Sequence, residues 1–143
     1  MIAYFVQHGL AMTKEEGPSR RLSQDGRKEV ECMARYLRKQ DLAIREVYHS
    51  GKTRAKETAQ IFAEQLGNCG IRELSGMSPN DDVRGFASTL KFDNTMYVGH
   101  LPHLGKAISY LITGNENQNL VKLANSGVVC VEKGSAGVYI DGF

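Results

Sequence analysis

The sequence has 143 residues, about the length of one domain, and can bury a single hydrophobic core. With 41% hydrophobic and 24% charged residues, no Trp and three Pro, the composition is that of an ordinary globular protein, without low-complexity tracts or internal repeats. A net charge of +2, with no long basic run and no aromatic stacking motif, argues against a nucleic-acid-binding module.

The apolar run Ile2–Val6 reads as a strand buried on both faces. It is interrupted by Gln7 and His8 and is too short for a signal peptide or a membrane span, so a cytoplasmic protein with no membrane contact is expected. The polar stretch Ala11–Arg21 reads as a loop. A helix follows over Gln24–Lys39, with Val30, Met33, Ala34 and Leu37 at helical spacing and Ser23 as N-cap. Glu46–His49 is the second strand. Thr53–Leu66 is the second helix, stopped by Gly67. Ile71–Leu74 is a weak third strand, and Ser78-Pro79 predicts the start of a helix carrying Val83, Phe86, Ala87 and Leu90 inward. Thr95–Val98 is the fourth strand and Pro102–Ile112 the fourth helix. Val128–Glu132 and Val138–Ile140 flank a Lys-Gly-Ser-Ala-Gly turn and predict a hairpin.

Strand and helix alternate four times before that hairpin. The predicted fold is α/β, a three-layer α/β/α arrangement with a mostly parallel central sheet and an antiparallel edge, forming one domain over residues 1–143. In such folds ligands bind beyond the carboxyl ends of the strands.

The widely spaced Cys32, Cys69 and Cys130 form no C-x-x-C pair and are read as reduced structural thiols, giving no support for a disulfide framework or a zinc site. The four histidines come without a carboxylate cluster, so no metal and no cofactor are expected. Between Arg20 and Lys56 the chain carries eleven Lys/Arg against five Asp/Glu, which is either a solvated helix face or a surface that attracts phosphate or an acidic protein.

The strand ends carry the chemistry. Gln7-His8-Gly9 closes the first strand, His49-Ser50-Gly51 the second and Gly99-His100-Leu101-Pro102 the fourth, each with a glycine for a tight backbone turn, and Arg54 lies one helical turn past Ser50. These segments resemble the histidine phosphatase superfamily, with its phosphoglycerate mutase-like fold, and within it the small phosphohistidine phosphatases of the SixA type. The family's Arg-His-Gly triplet appears as Gln7-His8-Gly9, its Ser-x-x-x-Arg-Ala-x-x-Thr motif as Ser50–Thr58, and its second histidine in Val98-Gly-His-Leu-Pro102. Arg20-Arg-Leu-Ser-Gln-Asp-Gly26 is similar to the family's entry to the first helix.

The resemblance implies a metal-independent phosphatase in which His8 takes the phosphoryl group as a phosphohistidine, while Arg54 and a protonated His100 neutralise the charge on phosphorus. Gly9 and Ser50 would join them around the phosphate. Gln7 departs from the pattern, keeping hydrogen-bond donors but losing a guanidinium; Arg20 and Arg21, with Lys52 behind them, are the cations expected to substitute. Larger relatives use a Glu to protonate the leaving group. Here Asp82, which matches an acidic SixA position, and Asp81 are the candidates, unless they only decorate the first turn of a helix. His49 is expected packed or at the rim, and His103 at the mouth or in solvent. The implied partners are a phosphorylated protein of the histidine phosphotransfer kind or a small phosphorylated molecule. The alternatives are a phosphomonoesterase and, because of Gln7, a weakly active or inactive phosphate-binding adaptor.

Overall fold

The computed structural model describes residues 1–134 and 137–142. In chain order the elements are β1 (Ile2–Gln7), α1 (Gln24–Lys39), β2 (Glu46–His49), α2 (Thr53–Gln65), β3 (Gly70–Glu73), α3 (Val83–Thr89), β4 (Thr95–Gly99), α4 (His103–Thr113), β5 (Val128–Gly134) and β6 (Gly137–Gly142). The six strands form one sheet in the order β3-β2-β4-β1-β5-β6. The pairs β3–β2, β2–β4 and β4–β1 are parallel, and β5 and β6 continue the sheet antiparallel beside β1. The α/β architecture with an antiparallel edge is the predicted one. Within the predicted hairpin turn, residues 135–136 lie outside the described residues.

Alternation along the strands divides the core into two layers, because successive side chains leave opposite faces of a sheet. Tyr4, Val6, Val47, Met96, Val98 and Val128 face Val30, Ala34 and Leu37 of α1 and Ala55, Ala59 and Phe62 of α2. Ala3, Phe5, Tyr48, Tyr97, Val129 and Val131 face Val83 and Phe86 of α3 and Leu104, Ala107 and Ile108 of α4. Phe5, Tyr48 and Phe86 all meet the Tyr97 ring, with centroids 5.2–5.7 Å away.

β1 and β4 are parallel neighbours, yet the helix after β1 packs on one face and the helix after β4 on the other. Their carboxyl ends therefore flank a crevice at a topological switch point. The His8 N–H donates to the Gly99 carbonyl at 3.1 Å, which sets His8 and His100 side by side at this crevice.

One element starts later than the sequence predicts. Pro79 does not open α3; the helix begins at Val83 with Asp82 as its N-cap, the carboxylate accepting from the Arg84 and Gly85 N–H groups. Asp81 in turn accepts from the Ser78 N–H at 2.8 Å, closing a turn ahead of the helix. The Asp82 carboxylate takes both N–H groups at once, a charge-assisted cap at the start of the helix.

Candidate active site

Three strand ends converge as expected. His8 is half-buried, with Nδ1 2.7 Å from the Gly9 carbonyl oxygen and Nε2 accepting from Arg54 Nε at 3.3 Å. Only an Nδ1–H can donate to that carbonyl, so Nε2 keeps its lone pair. Burial pushes the His8 pKa below its ordinary value, and the Arg54 and Arg20 cations add to this against the opposing pull of the Gly9 carbonyl. The imidazole is thus neutral and nucleophilic at neutral pH.

Gly9 has no room for a side chain: a Cβ there would sit 2.5 Å from Val30 Cγ2. Its N–H donates to Thr58 Oγ1 at 3.0 Å, and that hydroxyl donates to the Arg54 carbonyl at 2.7 Å. The last residue of the Ser50–Thr58 motif therefore ties the His8 segment to the helix that bears Arg54. Of the three strand-end glycines only Gly51, at φ +90°, takes a left-handed conformation.

His100 is 1% exposed, its ring 5.0 Å from that of His8. Its Nε2 lies 2.6 Å from Ser50 Oγ, and its Nδ1 is buried without a partner among the described residues. Burial first, then the charges of His8, Arg54, Lys52 and His103, push its pKa down to about 3. The structure holds His100 neutral rather than protonated as expected, with Nε2 and the Ser50 hydroxyl sharing one hydrogen bond.

Lys14, Arg20, Lys52 and Arg54 line a cleft of about 490 Å³ together with Gly51, Thr53 and Pro79. Among the described residues no acidic one lines it. The N-terminus of α2 opens into this cleft without any side-chain cap, so its first N–H groups add to the attraction for an anion. The sequence reading did not single out this helix start; Ser50-Gly-Lys-Thr, with no strong capping residue before Thr53, was the available signal.

The two candidate substitutes for the missing guanidinium separate. Arg20, at φ +50° in the bend before α1, is half-buried with Nε donating to the Met12 carbonyl at 3.1 Å, and its charge reaches both His8 and Arg54. Its loop is closed by the Ala11–Leu22 bridge and anchored by Leu22 N–H to Glu57 Oε1 at 2.8 Å. Arg21 is exposed and directed to Met12 Sδ at 3.3 Å, outside the cleft lining. The expectation for Arg21 is corrected: the left-handed bend at Arg20 sends the two neighbouring side chains to different places, and only Arg20 lines the cleft.

Asp81 and Asp82 line a separate depression with Gly85 and Phe86, and neither is in the lining of the cleft that Arg20 and Arg54 share. Their carboxylates are engaged in the turn and the cap described above. His103 is 1% exposed rather than solvated, its ring 4.8 Å from Phe86. Burial lowers its pKa, against the pull of Asp81 and Asp82. His49 is buried, with Nδ1 accepting from the Gly51 N–H at 3.0 Å, a role in the turn rather than at phosphate.

Gln7 donates from Nε2 to Asn125 Oδ1 at 3.1 Å, and its Oε1 is buried without a donor among the described residues. Asn125 is a neighbour that the sequence reading missed; nothing in its local sequence marks it. Among the described residues no group of three or more His, Cys, Asp or Glu is placed to hold a metal ion, and no helix is long and apolar enough to cross a membrane.

Comparison with known proteins agrees with this geometry. A family model described as the histidine phosphatase superfamily (branch 1) matches residues 3–78, a stretch that includes His8 and Arg54. The structure of the protein histidine phosphatase SixA complexed with tungstate superposes with a TM-score of 0.86 at 21% identity, over 99% of this chain and 94% of that one. A SixA-type phosphohistidine phosphatase from Agrobacterium tumefaciens gives 0.77 at 19% identity, over 92% and 91% of the two chains. Among curated sequences, an uncharacterized protein of Picosynechococcus is 24% identical over 147 residues, 96% of this chain and 88% of its own.

Proposed function

Because the chain belongs to the histidine phosphatase superfamily, we propose that it is a phosphatase acting as one domain over residues 1–143, in which His8 is the nucleophile and the preferred substrate is phosphohistidine in a protein. The observation that carries this reading is the fixed tautomer of His8, with Nδ1–H on the Gly9 carbonyl and Nε2 beside the Arg54 guanidinium.

The reaction runs in two steps. The Nε2 lone pair forms a bond to phosphorus as the bond to the leaving group breaks, and the leaving group departs with that electron pair. Arg54, Arg20, the N–H groups at the start of α2 and a donor from the Ser50–His100 pair face the oxygens where charge collects. Water then attacks the phosphohistidine, releasing inorganic phosphate and restoring neutral His8. Gly9 O remains the acceptor for Nδ1–H throughout and stabilises the positive charge on the phosphorylated ring.

The leaving group points to the substrate class. An alkoxide needs a proton delivered to the oxygen of the breaking bond, whereas a phosphohistidine protonated on its distal ring nitrogen departs as neutral imidazole, whose conjugate acid has an ordinary pKa of about 6.5, and needs no acid at the breaking bond. With Asp81 and Asp82 occupied in the α3 cap and turn, the site suits a labile P–N bond better than a phosphoester. The open basic cleft suits a protein carrying its phosphohistidine on an accessible surface, such as a histidine phosphotransfer domain.

The test is turnover of phosphoramidate, a phosphohistidine peptide and p-nitrophenyl phosphate by the wild type and by His8→Ala. The P–N compounds should be hydrolysed faster than the ester, with loss of about a thousandfold or more in His8→Ala and no base-stable phosphoenzyme in that variant. Faster turnover of the ester would favour the phosphomonoesterase reading. Phosphate binding without turnover of any of the three would favour the adaptor.

A further inference from the structure

Gln7 is where this chain departs from the family pattern, and its structural partner comes from far along the sequence. Gln7 Nε2 donates to Asn125 Oδ1 at 3.1 Å. Asn125 lies in the turn before β5, closed by the Gly127 N–H on the Ala124 carbonyl at 2.9 Å, with Ser126 in the left-handed region at φ +64°. The backbone of the same turn grips the end of β1. The Ser126 N–H reaches the carbonyls of Gln7 at 3.0 Å and of His8 at 3.3 Å, and the Gln7 N–H donates to the Gly127 carbonyl at 3.2 Å. Three main-chain contacts and one side-chain contact thus join this turn to the two residues at the nucleophilic strand end.

We propose that Asn125 is a positioning residue for Gln7, the two amides together presenting an uncharged N–H donor to the phosphoryl oxygens where the family pattern has a guanidinium. The proposal rests on the phosphatase reading above. Its physical basis is the orientation of the Gln7 amide, whose Oε1 is buried while Nε2 gives one hydrogen to Asn125 Oδ1 and keeps the second for another acceptor. Turned the other way, the amide would present its oxygen, which repels a phosphoryl oxygen. The Asn125 carbonyl holds the NH2 in place; an apolar side chain at position 125 cannot. Charge neutralisation then falls to Arg54 and Arg20, while the amide pair supplies direction.

The experiment is a double-mutant cycle with Asn125→Leu, alone and combined with Gln7→Leu, read by phosphoramidate kinetics and by calorimetric binding of tungstate. The Asn125 side chain is exposed, and melting temperatures within about 2 °C of each other will establish that the variants are folded. Asn125→Leu should raise KM and weaken tungstate binding about five- to tenfold, with kcat falling less than about threefold. In the Gln7→Leu background the same substitution should change neither by more than about twofold. Equal losses in both backgrounds, or no loss in either, would overturn the proposal. Tungstate binding is measured without turnover. A protein that binds it in an Asn125-dependent way but hydrolyses nothing therefore refutes the phosphatase reading alone. Turnover that ignores Asn125 refutes this proposal alone, and failure to bind tungstate at all refutes both.

Discussion

The Arg54 guanidinium stands 3.3 Å from His8 Nε2, and its charge is one reason the imidazole stays neutral. A depressed histidine pKa places the acid limb of kcat/KM below the ordinary value of about 6.5, so activity should hold through mildly acidic pH. Replacing Arg54 with Gln removes a cation and lets the His8 pKa rise, because a protonated ring no longer faces that repulsion. The acid limb should move to higher pH while kcat/KM falls about a hundredfold or more. A pH–rate profile of the two proteins checks this; a limb that stays in place or moves downward would contradict the electrostatic link. Ser50 Oγ and His100 Nε2 lie 2.6 Å apart, and burial holds that ring neutral as well.

At the scale of elements, much was legible because the signals are local. Val30, Ala34 and Leu37 at helical spacing after Ser23 define α1 to its ends, and the Ser23 hydroxyl accepts from the Gly26 N–H as the N-cap pattern demands. His8, Arg54 and His100 were findable because each follows a strand whose apolar run is unmistakable, and the parallel-sheet rule then brings the strand ends together. What sequence did not disclose depends on side-chain direction or on contacts remote in the chain. Arg20 and Arg21 are equivalent on paper until the bend separates them. Asn125 meets Gln7 across 118 positions, with no periodicity to announce it. The start of α3 was misplaced because Ser78-Pro79 and Asp82 both resemble caps, and the better acceptor prevailed. That cap is testable: Asp82→Ala should cost about 1 kcal/mol of stability in denaturant unfolding. Its phosphoramidate turnover should stay within about twofold of wild type. A large loss of turnover with unchanged stability would return Asp82 to the chemistry.

For the molecule as a whole, four histidines share one tendency. His8, His49, His100 and His103 all have pKa values pushed down, in each case by burial first. An unfolded chain binds protons at histidine near pH 6.5 while the folded one resists them, so stability is full above that pH and is lost as pH falls below it toward the depressed folded values. The melting temperature should drop by about 5 °C or more between pH 7.5 and pH 5. His103→Phe, which fills the site against Phe86 without a titrating group, should reduce the drop. An unchanged melting temperature across that range would show that these rings protonate without resistance. The sheet order also bears on how the protein is made. β1 lies between β4 and β5, so the strand that carries the nucleophile leaves the ribosome well before either neighbour exists. Its apolar edges must wait for β4 and β5, and chains truncated before β5 should be both inactive and dependent on chaperones.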